Sequence, residues 1–154
     1  MSLAAGTHVR EALEEDAAAL EDLKWSWASE RGKLVLPRAE HRRRMLHCIT
    51  NRQGGHIPFI ATHGDRSVAM AWLALLERVP GPSAQHRLVG DLQSVFVLPE
   101  HRSNGTGTKL LNHVIGQARA RSLEFLTVHP SPRSVRFYQR LGFTGEGAIL
   151  HLPL

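Results

Sequence analysis

The sequence predicts a mixed α/β fold, and three observations carry that prediction. Apolar residues switch between a two-residue and a 3.6-residue repeat along the chain, in the order β-α-α-β-β-β-α-β-α-β. The segment from Val95 to Thr108 runs from a β-branched strand through a glycine loop into a helix start. A chain of 154 residues with 42% hydrophobic content is long enough to bury a core, which points to one domain over residues 1–154.

Each element has a local reason. Thr7 to Ala12 reads as a first strand. Glu14 to Ser29 reads as a helix, with acids in its first turn and an apolar stripe at Ala17, Leu20, Leu23 and Trp27; Gly32 ends it. Pro37 to about Arg52 reads as a second helix, closed by Gly54-Gly55. His56 to Thr62 and Ser67 to Val79 read as strands joined by His63-Gly64-Asp65-Arg66, a hairpin signal. Pro80 to Ser83 is a loop, and Arg87 to Leu98 is the next strand. Asn104 to Arg121 reads as a helix with Leu110, Leu111, Val114, Ile115 and Ala118 on one face. Leu123 to Val128 is a strand of the buried type. Ser131 to Leu141 reads as a short helix, with Ser131 as N-cap, Pro132 as first residue and Gly142 as stop. Phe143 to Leu152 supplies one or two last strands.

Composition excludes several classes. One cysteine, Cys48, allows no internal disulfide and fits a reducing, cytoplasmic setting. No apolar run reaches membrane-spanning length, and no signal-peptide pattern opens the chain. The ten histidines show no metal-ligand spacing, so no metal is expected. The formal charge of +5 invites a nucleic-acid reading. The basic residues are scattered, however, apart from Arg38 and His41 to Arg44, which read as a solvated helix face. A basic surface equally suits a polyanionic small molecule.

The strand–glycine loop–helix order makes an anion site, because the first N–H groups of a helix lack partners and its dipole is positive there. A Walker loop needs glycine directly before Lys and Ser/Thr; Thr108 separates Gly107 from Lys109. A dinucleotide fingerprint needs a third glycine where Leu110 stands. The pattern that fits is R-x-x-G-x-G at Arg102, Gly105 and Gly107. It resembles the acetyl-CoA pyrophosphate loop of the GNAT superfamily of N-acetyltransferases. A second segment, Ser131 to Phe143, resembles the stretch around that family's catalytic tyrosine, with Tyr138 followed by Gly142-Phe143. The two motifs span roughly residues 90 to 145.

The resemblance implies the GNAT fold, a mixed, mostly antiparallel twisted sheet flanked by helices, splayed where acetyl-CoA sits. It implies an acetyltransferase moving the acetyl group of acetyl-CoA to a primary amine, by direct attack and without metal. Cofactor contacts fall to main-chain groups of Val95, Phe96 and Val97, to Arg102, Ser103, Asn104, Gly105, Thr106, Gly107 and Thr108 in the loop, and to Ser131 and Ser134. Ser131 stands where many relatives have asparagine. Tyr138, the chain's only tyrosine, takes the general-acid role. For the base, two-residue alternation puts Asp91 on one face with Gln93, Val95 and Val97; Glu77, His129 or a water chain are alternatives. The acceptor is expected between the first two helices and the central strands, with Trp25, Trp27 and Glu30 as walls. A small-molecule amine is the first reading of the acceptor, and a protein amine or a non-catalytic acyl-CoA sensor are the others. The partners expected are acetyl-CoA and the amine, with a homodimer left open and neither nucleic acid nor membrane.

Overall fold

The structure is a computed structural model and describes residues 6–51, 55–83, 87–145 and 147–154. The elements are β1 (Thr7–Glu11), α1 (Ala17–Glu30), α2 (Arg38–Asn51), β2 (His56–His63), β3 (Arg66–Glu77), β4 (Leu88–Val97), α3 (Thr106–Ala120), β5 (Phe125–Val128), α4 (Val135–Arg140) and β6 (Leu150–Pro153). The six strands lie side by side in chain order. Every neighbouring pair is antiparallel except β4 and β5, which are parallel. The long crossover through α3 is what allows that parallel pair. This is the expected mixed, mostly antiparallel sheet. Among the described residues no helix is long and apolar enough to cross a membrane.

The sheet is covered on both faces. On one side Leu110, Leu111, Val114, Ile115 and Ala118 of α3 pack with Ile57, Phe59, Ala71, Leu73 and Leu92; Tyr138 and Phe143 extend this core. On the other, Leu20 and Leu23 of α1 and Ile49 of α2 pack with Ile60, Met70, Trp72 and Phe96. From Ala69 to Leu73 odd and even positions of β3 serve opposite cores, as the pleat requires; Val68, skipped in the register with β2, joins the α3 core.

Several boundaries move for local reasons. A 3₁₀ turn at Glu14–Asp16 precedes α1, so the expected helix from Glu14 begins three residues late. Ser122 takes a left-handed conformation and Leu123 N–H closes on Ala118 C=O at 3.1 Å, which delays β5 to Phe125. Ser131 is not the cap of the last helix. Its carbonyl accepts Ser134 N–H at 2.9 Å and Ser134 Oγ at 3.0 Å, forming a turn, and Ser134 occupies the N-cap of α4. Among the described residues after Phe143 there is one strand, with a lone bridge between Thr144 and His151. Arg52 and Gly54, expected at the end of the second helix, lie outside the described residues.

The pairing of β4 with β3 slips: Gln93 faces Trp72, but Phe96 faces Met70. Ser94 and Val95 thus oppose the single residue Ala71, which is a β-bulge, and Ser94 takes φ 51°. The bulge breaks the two-residue alternation on which Asp91, Val95 and Val97 were expected to share a face. Val95 and Val97 pack towards the α3 core, whereas Phe96 packs in the core under α1 and α2. Asp91, opposite Ala74, shares the parity of Gln93 and Phe96 instead.

The basic run on α2 is more than a solvated face. Glu21 of α1 is buried, and its carboxylate accepts from Arg38 Nη2 at 3.1 Å, His41 Nδ1 at 3.0 Å and Arg42 Nε at 3.4 Å. Burial pushes the Glu21 carboxyl up, but these partners outweigh it and hold it below the ordinary value. A carboxyl lowered by folding adds stability above its unfolded value of 4.5, and that contribution is lost as pH falls through the lower folded value. Glu21→Gln should cost about 1–2 kcal/mol in urea unfolding at neutral pH, discounted because its arginine partners are partly solvated. The variant's stability should also fall less steeply in acid than the wild type's.

Candidate active site

β4 and β5 pair only at Gly90–Leu92 with Leu126–Val128. Gly90 makes that junction close: a Cβ there would stand 2.6 Å from Leu126 Cδ2 and 2.7 Å from Leu73 Cδ1. Past Leu92 the bulge turns β4 aside and the strands part. A cleft of about 800 Å³ fills the opening.

The cleft brings together most of the residues the sequence singled out. Val95, Phe96 and Val97 form one wall; Arg102, Ser103, Gly105, Gly107 and Thr108 form the next. Ser131, Ser134 and Tyr138 close the far side. Asn104 and Thr106 do not line it. Thr106 is buried, and Asn104 Oδ1 accepts its Oγ1–H at 2.7 Å and its N–H at 3.3 Å, so both act inside the loop. Asp91 does not line it either. Its Oδ1 accepts from Thr127 Oγ1 at 2.6 Å and its Oδ2 from Gln93 Nε2 at 3.1 Å, a pairing that ties β4 to β5 at their junction. Of the alternative bases, Glu77 ends β3 opposite Leu88, away from the cleft, while His129 lies on the cleft wall.

The loop geometry follows from its glycines. Gly105, the N-cap of α3, has φ 86°, a left-handed value that favours glycine. A Cβ on Gly107 would meet the ring of Phe137 at 3.3 Å, so glycine keeps the helix start open to the cleft. Gly105 has no side chain to cap α3, Asn104 takes only the Thr106 N–H, and the backbone N–H groups of Gly107 and Thr108 stand in the first turn, where a helix has no internal acceptors for them. Arg102 is turned another way. Its Nε donates to Val97 C=O at 2.9 Å and its Nη2 to Glu30 Oε2 at 2.7 Å. The Arg102 ion pair holds Glu30 below the usual carboxylate range, against the smaller opposing effect of burial. Val97 is therefore paired through both Ala69 and Arg102, and the irregular stretch of the strand is Ser94 and Val95.

The sequence motifs do not single out Arg31, Arg133 or Arg140. Trp27, Glu30 and Arg31 face the cleft, together with Arg133 and Arg140. Four arginines against one glutamate make the cleft electropositive. Trp27 and Glu30 were expected as acceptor walls; Trp25 lies elsewhere, against His41 at 5.7 Å between ring centres and under Arg38. Among the described residues, no group of His, Cys, Asp and Glu is placed to hold a metal ion.

Tyr138 sits at the base of the cleft with edge contacts to Phe137 at 5.2 Å and Phe143 at 5.5 Å between ring centres. Burial pushes its phenol up to about 12, with the charge of Arg31 opposing weakly. The group is neutral, and a donor, throughout the physiological range.

The same fold is found in known structures. A predicted acetyltransferase from Clostridium acetobutylicum, solved with acetyl-CoA, superposes with a TM-score of 0.73 at 19% identity over 92% of each chain. A GNAT-family acetyltransferase from Streptococcus pneumoniae superposes with a TM-score of 0.74 at 20% identity, over 97% of this chain and all of that one, a coverage of 100%. Glucosamine-6-phosphate N-acetyltransferase from Arabidopsis thaliana is 13% identical, with a TM-score of 0.71 over 92% of this chain and 94% of that one. No curated protein matches the chain by sequence. The family model "Acetyltransferase (GNAT) family" matches residues 11–143, and the chain belongs to that family.

Because the chain has a single tyrosine, phenolate absorbance reports Tyr138 alone. Its midpoint should lie near 12 in the folded protein and return to 10 on unfolding. The unfolded chain ionises first, so stability should fall as pH rises from 10 towards 12.

Proposed function

We propose that the protein is an acetyl-CoA-dependent N-acetyltransferase acting on a primary amine in a ternary complex. The observation that carries this reading is the single cleft in which the strand bulge, the glycine loop and Tyr138 meet. The pyrophosphate would lie on the N–H groups of Gly107 and Thr108. The acetyl carbonyl would lie against the main chain of the bulge at Ser94 and Val95, whose N–H groups would then stabilise the tetrahedral oxyanion. Arg31, Arg133 and Arg140 favour a polyanionic ligand throughout the cleft. Arg102 can join them only by leaving Glu30.

A neutral amine attacks the thioester carbon, the tetrahedral intermediate collapses, and the sulfur leaves with the bonding pair. The amine proton passes to water or to His129, the one alternative side-chain base that lies on the cleft wall. A thiol has a pKa of about 8.5, so full transfer from a phenol near 12 is uphill. Tyr138 therefore acts by donating a hydrogen bond to sulfur as negative charge grows there, and solvent completes the protonation. The Asp91 carboxylate, committed to Thr127 and Gln93, is assigned to holding the strand junction.

Tyr138→Phe keeps the ring and removes the donor. It should lower kcat by about 10²-fold, with acetyl-CoA affinity and melting temperature nearly unchanged. A wild-type rate in stopped-flow thiol release would remove Tyr138 from the mechanism. Gly107→Val should weaken acetyl-CoA binding by at least about tenfold in calorimetry while circular dichroism shows an intact fold. Unchanged affinity would move the phosphate site elsewhere.

A further inference from the structure

A second cavity, of about 180 Å³, lies on the opposite side of the bulge, between α1, α2 and the strands β2 to β4. Ser94 lines both cavities, so the bulge is their shared wall. Two polar atoms among its lining residues are buried without a partner: Nδ1 of His56 and Nε1 of Trp72. Trp72 is only 6% exposed. An indole N–H can only donate, so its place in a folded interior calls for an acceptor atom, and none of the described residues supplies one. Lys24 adds a cation here. Its ammonium donates to Ser94 Oγ and stands 4.1 Å from the centre of the Trp27 ring. Among the described residues no carboxylate lines the cavity. Burial lowers the Lys24 pKa, with the charge of Arg31 adding to the effect, consistent with an ammonium short of counter-charge.

We propose that this cavity receives the acceptor and selects an amine that also carries an oxyanion, such as an amino-acid carboxylate, over a polyamine. The inference rests on the acetyl-transfer reading and names the substrate class for it. The oxyanion would accept from Trp72 Nε1 and the Lys24 ammonium, with His56 Nδ1 as a further donor. The amine would then enter past Ser94 towards the acetyl group. A polyamine would instead bring a second ammonium to Lys24 with no carboxylate to receive it.

The test compares matched amines in thiol-release assays with saturating acetyl-CoA: free amino acids, their decarboxylated counterparts, O-phosphoethanolamine and spermidine. The oxyanion-bearing members should show kcat/KM at least about tenfold above their partners. Preference for amino acids or for O-phosphoethanolamine distinguishes carboxylate from phosphate. Trp72→Phe and Lys24→Met should each raise KM for the oxyanion-bearing amine and shrink the preference. Their acetyl-CoA affinity in calorimetry and their circular-dichroism spectra should stay at wild-type values. Equal or faster turnover of the decarboxylated amines, or a preference that survives both substitutions, overturns the inference. Acetyl-CoA binding with turnover of no amine also overturns it while the cofactor site stands. Failure to bind acetyl-CoA instead overturns the reading beneath it.

Discussion

Between Gln93 and Phe96 the fourth strand carries two residues where its neighbour carries one, and much of the site depends on that extra residue. A regular strand would keep its ladder with β3 and run on beside β5. The bulge bends it away just beyond the last β4–β5 pair, Leu92 with Val128. The same slip exchanges faces: Phe96 goes to the core beneath α1 and α2, and Val97 to the core beneath α3. Ser94 and Val95 fall outside the regular register at the point where the two strands separate. Ser94 holds a left-handed backbone that serine seldom adopts, and its hydroxyl accepts from Lys24. A strained residue between two cavities is a place where backbone energy and ligand geometry are coupled.

Helix α1 links the layers of this arrangement. Its apolar side buries Leu20 and Leu23 against the sheet, and Glu21 receives three basic side chains of α2. Its last turn supplies Trp27 and Glu30 to the cleft, and Glu30 reaches Arg102 in the glycine loop. The positive charge that suggested nucleic acid is thus divided between two internal tasks. Part of it pins one helix to another, and part lines a cleft suited to a polyanion.

The chemistry at Tyr138 is set by burial. The phenol lies between two aromatic rings, far enough from bulk water that its anion is disfavoured. That environment makes it a durable donor and a weak acid. In the proposed reaction its contribution would be to meet charge on a departing sulfur, with the proton's final source elsewhere.

The sequence by itself determined the order of elements, the sheet class and the family. Local patterns encode these: the repeat of α3, the hairpin at Gly64-Asp65, the glycines of the loop and the Tyr-x-x-x-Gly-Phe run. It also brought most of one cleft wall together, because a strand, loop and helix contiguous in the chain stay adjacent in space. Tertiary structure alone decided the rest. Asp91 left the site because a bulge, invisible to two-residue counting, reset the faces of β4 and because Thr127, thirty-six residues on, captured its carboxylate. Arg102 met Glu30 across seventy-two residues, and Trp72, His56 and Lys24 came to one cavity from three separate elements. Periodicity reports which face a residue occupies on an ideal element. Irregular backbone and long-range partners decide what that residue touches.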